Sequence, residues 1–253
     1  MKLKQTLAGI AALAVVSAAH AQSAHTLYVT TGWFHFAPQD SSDPLKIDSV
    51  AGFPVNASLP GTGASIGNAD TAGVSLGYFI TDNIAAEAEL GIPPKFDLSG
   101  SGSLSSFGKI GEARLWAPAL LLKYYFNKAD SKFRPYLGVG ATYTWFTGDK
   151  ITNNNLTGTI GYAGTQALAP YGVTPSPGAQ TSVTTTNSWA PVFSAGFNYN
   201  FTKHWFAGFS LSYIPVNVTA KLDTTTRTGV HVRSEAKIHL NPIVTYLKVG
   251  YAF

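Results

Sequence analysis

Apolar and polar residues alternate with a period of two along residues 243–253. One face of this stretch is apolar and aromatic and ends at Phe253, whereas the other face carries Lys248, Gly250 and Ala252. A period of two is the repeat of a β-strand, because successive side chains point to opposite sides. The pattern therefore predicts a strand between two different environments, with Phe253 facing an apolar one.

The same alternation predicts eight strands in all, at residues 26–36, 72–80, 84–92, 114–126, 133–146, 188–201, 205–213 and 243–253. The faces of the first strand cannot be assigned, and Pro215 suggests a bulge late in the seventh. The connections 81–83, 127–132 and 202–204 are short, whereas 38–69, 93–112, 147–187 and 223–236 are long and rich in Gly, Ser, Thr, Asn and Pro. This alternation of connection lengths is typical of outer-membrane barrels.

The N-terminus predicts export. Lys2 and Lys4 precede the apolar residues 7–16, and Ala19-His20-Ala21 fits a small-residue cleavage site. These features indicate a signal peptide over residues 1–21 and a mature domain over residues 22–253. Its removal lowers the formal charge from +4 to +2, and a charge this small, with no basic run, argues against nucleic-acid binding.

The composition narrows the fold class. Charged residues make up 12% of the chain, about half the ~25% usual in soluble domains. No apolar stretch after Ala21 approaches the ~18 residues of a membrane helix, and without cysteine there is neither a disulfide nor a thiolate metal site. The sequence therefore predicts an all-β, eight-stranded antiparallel transmembrane β-barrel in a Gram-negative outer membrane, with long extracellular loops and short periplasmic turns.

Aromatic residues of outward parity gather near the predicted strand ends. At the short-turn end they are Tyr124, Phe126, Phe133, Tyr199, Phe201, Trp205, Tyr251 and Phe253, and at the opposite end Trp145 and Trp189. Aromatic girdles mark both interfaces of membrane barrels. We expect both mature termini on the periplasmic side, with Phe253 facing lipid.

Three stretches resemble the OmpW family of eight-stranded outer-membrane proteins. They are Tyr78-Phe-Ile-Thr-Asp-Asn-Ile84, Ser131-Lys-Phe-Arg-Pro-Tyr-Leu-Gly-Val-Gly140, and Leu240-Asn-Pro-Ile243 followed by Gly250-Tyr-Ala-Phe253. The resemblance covers essentially the whole mature chain. It implies a narrow barrel with a hydrophobic cavity that passes small, often apolar molecules inward, with a lateral opening as one route. Many outer-membrane barrels end in phenylalanine, which the barrel-assembly machinery recognises, so Tyr251 and Phe253 form the candidate assembly signal.

One departure from the family concerns the middle of the barrel. Some members carry large apolar residues at the inward positions that here are Glu89 and Ser212. A hydrophobic gate at these two positions is therefore not expected.

Charged residues of inward parity gather in the predicted periplasmic half, since tilted strands place them at similar heights. They are Glu87, Glu89, Lys123, Arg134 and Lys248. Because an unpaired charge in a narrow interior is costly, we expect Glu87 or Glu89 to pair with one of the three cations. Two interpretations stay open: a salt-bridge network that plugs the barrel, and a charged constriction that selects solutes.

Three functions remain as hypotheses. The leading one is a conduit for small, apolar molecules, the second is a surface receptor or adhesin acting through the long loops, and the third is a lipid A-modifying enzyme. Hydrolysis would need Ser, His and an acid within reach of one another, and no such set accompanies His239 on its strand. Residues 61–67 mimic a phosphate loop but precede no helical pattern, so they are interpreted as a flexible loop.

The sequence therefore predicts no enzyme, no catalytic residue, no metal and no cofactor. The expected partners are outer-membrane lipid and lipopolysaccharide, the barrel-assembly machinery and small-molecule solutes. The resemblance adds phage or bacteriocins, to whose reception the family is linked.

Overall fold

The computed structural model describes residues 22–253, so the predicted signal peptide lies outside the described residues. The strands are β1 (Leu27–Ala37), β2 (Ser41–Ser42), β3 (Lys46–Val50), β4 (Phe53–Ser58), β5 (Thr62–Ile66), β6 (Ala69–Phe79), β7 (Ile84–Gly91), β8 (Lys95–Gly102), β9 (Lys109–Trp116), β10 (Ala119–Tyr125), β11 (Phe133–Ile151), β12 (Gly178–Thr185), β13 (Ser188–Asn200), β14 (Trp205–Tyr213), β15 (Asn217–Thr226), β16 (His231–His239) and β17 (Ile243–Ala252). One α-helix, α1 (Asn154–Ala167), and two short 3₁₀ segments, Ser105–Phe107 and Ala169–Tyr171, complete the described elements. Among these residues, no helix combines the length and the apolar character that a membrane crossing requires.

Eight strands close into an antiparallel barrel. Their order is β10-β7-β6-β1-β17-β14-β13-β11, and the pairing of β10 with β11 completes the ring. The first and last strands also pair, with Tyr28 opposite Ala252 and Ala37 opposite Ile243. The predicted fold class and the predicted strand number are therefore confirmed.

Burial follows the period of two around the barrel. In β17, Tyr246 and Lys248 are buried inside, whereas Leu247 and Val249 are exposed on the outer wall. The structure also assigns the faces of β1, which the sequence left open. Tyr28, Thr30 and Phe34 point inward, and Leu27, Val29 and Trp33 point outward.

The long connections fold into two sheets that continue the barrel wall at the end opposite the short turns. We call these two sheets the extension. One sheet extends β11 through β9 and β8 to β5, and the other has the order β12-β15-β16-β3-β4 with β2 beside β16. The interpretation of residues 61–67 as a flexible loop is wrong, because β5 pairs with β8 over this stretch. Helix α1 was not predicted; its N-cap is Asn153, whose side chain accepts from the backbone of Asn155 and Leu156.

Prolines divide the barrel strands from their extensions, because proline has no N–H to donate to a ladder. The prediction of one strand over residues 114–126 is wrong: β9 ends at Trp116, β10 begins at Ala119, and Pro118 lies between them. Pro215 likewise separates β14 from β15 and does more than introduce a bulge. In contrast, the predicted fifth strand, which has Pro135 near its start, has no proline between Phe146 and Ile151 and continues to Ile151.

Glycines on the inner wall make room for aromatic rings. A Cβ atom at Gly77 would overlap the ring of Tyr28, and one at Gly250 would overlap the ring of Phe206. Eight strands leave an interior only wide enough for side chains. The glycines therefore allow large rings to fill the narrow interior of the barrel.

Candidate functional site: the barrel interior

The buried carboxylate of Glu87 on β7 links this strand to three others, β1, β10 and β17, in the half of the barrel near the short turns. Glu87 Oε2 accepts hydrogen bonds from Tyr28 Oη at 2.6 Å and from Lys123 Nζ at 2.8 Å. Its Oε1 accepts from Lys248 Nζ at 3.1 Å. The side chains of Glu87, Lys123 and Lys248 are fully buried, so all three charges depend on one another for compensation.

Glu89 extends this cluster toward the middle of the barrel. Glu87 and Glu89 are two residues apart on β7, so both side chains point inward. Glu89 Oε1 lies 3.0 Å from Lys123 Nζ, and its side chain is 13% exposed. Lys123 therefore bridges two carboxylates, whereas Lys248 reaches only Glu87 in the described part of the chain.

Arg134 is inside the barrel but pairs with neither glutamate. Its guanidinium donates to the backbone carbonyls of Gln22, Asp82 and Asn127. It also lies over the ring of Tyr125, with 4.9 Å between the guanidinium carbon and the ring centroid. Two of the three candidate cations, Lys123 and Lys248, thus pair with Glu87. The third, Arg134, connects the N-terminal segment to the short turns.

Aromatic side chains fill the space around Arg134. The buried residues of this layer are Tyr28, Phe79, Tyr125, Tyr136 and Phe206. Tyr125 contacts Phe79 and Tyr136 with ring centroids 5.2 and 4.9 Å apart. Together with the ion pairs of Glu87, this layer occupies the barrel interior near the short turns.

The middle of the barrel contains a buried apolar cluster beside hydroxyl side chains such as Thr30 and Ser75. Phe34 stacks on Tyr246 at 3.8 Å, and both pack with Leu121 and Val192 in one buried cluster. At the departing position on β14, Ser212 donates a hydrogen bond to Ser194. The hydrophobic layer therefore comes from β1, β10, β13 and β17, and not from β7 and β14.

An apolar cavity of about 110 Å³ lies above this layer, inside the strand extensions. Its wall includes Phe36, Phe96, Leu98, Phe146, Val183 and Leu222. Leu156 and Ile160 of α1 cover it from the far end. Its volume is about three-quarters of the ~150 Å³ of an engineered apolar cavity that holds benzene, so its size and lining suit an apolar molecule no larger than about one benzene ring.

The barrel wall is interrupted beside this cavity. The β7–β10 ladder ends at Glu89 opposite Ala119, and the β8–β9 ladder begins at Lys95 opposite Arg114. Within the described chain, the only backbone hydrogen bond that crosses this interval runs from the Leu115 amide to the Pro94 carbonyl. The buried cluster of Phe96 and Leu115 lies just inside the interruption.

The predicted girdle residues lie on the outer wall. Tyr124 and Phe126, Tyr199 and Phe201, and Trp205, Tyr251 and Phe253 make ring contacts near the short turns. Phe133 packs on Phe197 in the same region. At the other end, Trp145 stacks on Trp116, and Trp189 packs on Tyr143. Their roles as membrane girdles and assembly signal stay predictions.

The histidines of residues 22–253 lie outside the interior. His231 Nδ1 faces both Asp223 and Thr225, so its ring cannot pass a proton between an acid and a hydroxyl through its two nitrogens. His239 Nδ1 contacts Asn217, and its Nε2 lies 3.6 Å from Asp43. Within residues 22–253, no three His, Asp or Glu side chains form a metal-binding group.

Sequence reasoning missed two parts of this site. Tyr28 was missed as a partner of Glu87 because the faces of β1 were not assigned. The cavity was missed because its walls, including Leu98 and Val183, lie in the long connections. The interruption carried a readable signal, namely Pro93 and Pro94 just after one predicted strand and Pro118 within the next predicted strand.

Comparisons with known proteins agree with this architecture. The chain matches the model of the OmpW family over residues 24–164 and 173–253. It is 32% identical over 254 residues to outer membrane protein W of Vibrio cholerae, covering 99% of this chain and 100% of that protein. It is 23% identical over 197 residues to the dibenzothiophene metabolism operon protein PahQ of Pseudomonas aeruginosa, covering 77% of each. The crystal structure of OprG from Pseudomonas aeruginosa has the same fold, with a TM-score of 0.74, 23% identity, and coverage of 93% of this chain and 98% of that chain.

Proposed function

Because the chain belongs to the OmpW family of outer-membrane barrel proteins, we propose that it is a conduit that takes small apolar molecules into the outer membrane. The observation that carries this proposal is the apolar cavity of about 110 Å³ within the strand extensions. The transfer of an apolar solute from water into such a cavity lowers its free energy. The cavity stands outside the membrane core, where a solute would arrive from the medium.

A sideways route fits the interior better than a straight one. Passage through the periplasmic half would have to displace the buried Glu87–Lys248 pair and the rings below it. Separating a buried pair leaves two uncompensated charges, which is costly. The interrupted wall between Pro94 and Pro118 instead leads from the cavity toward the lipid.

The name of one relative supports an apolar cargo. PahQ is named for an operon of dibenzothiophene metabolism, and dibenzothiophene is a flat apolar molecule. We extend this chemistry to the present chain as a substrate class only. The enclosed apolar lining described above gives the physical reason.

The test is to fill the cavity and measure uptake. Val183 lines the cavity, whereas its neighbour Ser182 is exposed on the opposite face of β12. Uptake of radiolabelled benzene would be measured in intact cells that produce wild type, Val183→Trp or Ser182→Trp, with outer-membrane levels of folded barrel checked by heat-modifiable gel mobility. We expect Val183→Trp to reduce the chain-dependent rate at least several-fold and Ser182→Trp to leave it unchanged. Equal rates at equal levels of folded barrel would contradict the proposal.

A surface receptor is the second candidate. It is supported by aromatic side chains exposed on the extension, Phe53 at 65% and Tyr171 at 83%, since exposed aromatic residues are typical anchors of protein interfaces. Phe53→Ala with Tyr171→Ala would abolish phage or bacteriocin adsorption while leaving benzene uptake intact. Unchanged adsorption in this double variant would remove the support for this candidate.

A further inference from the structure

One outward patch on the extension carries a surplus of positive charge. It lies on β8, β9 and β11 and contains Lys95, Lys109, Arg114 and Lys150 with two carboxylates, Asp97 and Glu112. Three of its ammonium groups surround Glu112, at 2.6 Å for Lys95 and 2.9 Å for both Lys109 and Lys150. We call this group the basic patch.

Ion pairs with Glu112 fix the positions of three lysines in the basic patch. Hydrogen bonds from Lys95, Lys109 and Lys150 hold the pKa of Glu112 well below its usual range. The Glu112 side chain is only 14% exposed under these lysines, whereas Lys150 is 61% exposed. Arg114 is exposed and has no carboxylate partner among the described residues. One carboxylate thus positions three cations that still have capacity for a further anion.

The height of the basic patch is set by the aromatic residues below it. Trp116 and Trp145 are opposite one another and stack with ring centroids 5.5 Å apart. Arg114 lies two residues further along the same face of β9, which is roughly 7 Å along a strand. Tryptophan prefers the membrane–water interface, so the basic patch lies at the height of lipid headgroups.

The other sheet of the extension shows no such surplus. Its strands carry Lys46, Lys221, Arg233 and Lys237 with Asp48, Asp223 and Glu235. Asp43, which joins β2 to β3 and donates its N–H to the Lys237 carbonyl, brings these charges into balance. Lys46 pairs with Asp48 and Glu235, and Arg233 approaches Asp223 at 3.6 Å. The surplus therefore belongs to one side of the protein.

We propose that the basic patch binds the phosphate groups of lipid A in the outer leaflet, with Trp116 and Trp145 against the sugar–acyl boundary. Arg114 can engage a phosphate through two parallel hydrogen bonds, and the lysines neutralise its remaining charge. Each cation near an anionic membrane surface adds to binding. A ligand with phosphate above acyl chains matches a surface with cations above aromatic rings. This binding does not depend on the conduit.

Lipid A binding to the detergent-purified full barrel tests the proposal. Native mass spectrometry would compare wild type with Lys95→Ala/Arg114→Ala/Lys150→Ala and with the control Lys221→Ala/Arg233→Ala/Lys237→Ala, which removes the same residue types from the balanced sheet. The probes are bisphosphorylated lipid A, dephosphorylated lipid A and inorganic pyrophosphate. Arg114→Ala alone, which breaks no ion pair, keeps the test valid if the triple variant folds poorly.

We expect the patch triple variant to bind bisphosphorylated lipid A about tenfold or more weaker than wild type, and Arg114→Ala to fall between them. The control should bind like wild type, and dephosphorylated lipid A should bind all variants alike. Three results would overturn the proposal: unchanged binding in the patch variants, an equal loss in the control, or pyrophosphate binding as tightly as lipid A. The last result would identify a soluble polyanion as the ligand.

Discussion

Replacing Glu87 by glutamine removes the charge that compensates two buried lysines. In Glu87→Gln, Lys123 keeps Glu89 at 3.0 Å, whereas Lys248 loses its only carboxylate partner among the described residues. The amide oxygen can still accept the hydrogen bond of Tyr28. The perturbation therefore leaves one buried ammonium group uncompensated.

The magnitude follows from this count. Breaking a buried ion pair by removing one partner costs about 3–5 kcal/mol. Because one orphaned cation results and the hydrogen bond of Tyr28 remains, we expect a loss of about 3 kcal/mol in the free energy of unfolding. Glu89→Gln is the matched control: its side chain is 13% exposed and Lys123 keeps Glu87, so we expect a loss below about 1 kcal/mol.

The assay is reversible urea unfolding in lipid vesicles, followed by tryptophan fluorescence and heat-modifiable gel mobility. A third variant, Glu87→Gln/Lys248→Met, removes the orphaned charge and should recover most of the lost stability, because a neutral replacement of a buried pair costs little. Planar-bilayer recording of the same proteins tests the alternative of a charged constriction. That alternative predicts a shift toward anion selectivity with little loss of stability.

The reasoning would be refuted if Glu87→Gln and Glu89→Gln lost equal stability, or if both lost less than about 1 kcal/mol. Failure of the Lys248→Met rescue would show that the loss has another cause. A selectivity shift at unchanged stability would favour the constriction over the plug.

Three further outcomes are expected. Gly77→Val should lower the free energy of unfolding by about 1–3 kcal/mol, because its Cβ overlaps the Tyr28 ring; unchanged urea midpoints would refute the packing argument. Phe253→Ala should reduce the yield of folded barrel in outer-membrane fractions more than Phe53→Ala, an exposed control on the extension, and equal yields would count against an assembly signal. The folded-state pKa of Glu112 lies below its usual 4.5, so its stabilisation is full above pH 4.5 and is lost as the pH falls further. The stability difference between wild type and Glu112→Gln should therefore shrink between pH 6 and pH 3, and a constant difference would contradict the pairing.

The period of two predicted the barrel strands because one face meets lipid and the other a filled interior. Strand β5 of the extension does not show this alternation of apolar and polar residues. In β5 all five residues are half-buried and small or polar apart from Ile66, and their pairing depends on β8 supplying hydrogen bonds. Helix α1 contains Gly161 and Gly164 where its backbone packs closely against Gly178 and Val232. Because glycine has a low helix propensity, these residues hid the helix in the sequence.

The interior was partly predictable. Parity placed Glu87, Lys123 and Lys248 inside, and their pairing follows from the cost of an unpaired buried charge. Parity also placed Arg134 inside, but its partners are carbonyls of Gln22, Asp82 and Asn127. These carbonyls belong to turns and the N-terminal segment, whose conformations the strand pattern does not determine.

The location of a bound apolar molecule tests the conduit most directly. Crystals of the barrel soaked in iodobenzene would show the iodine by its anomalous scattering. The conduit predicts iodine within the cavity lined by Leu98, Phe146 and Val183, with a second position toward Pro118. Iodine between Glu87 and the short turns, or a cavity that stays empty at saturating iodobenzene, would contradict it.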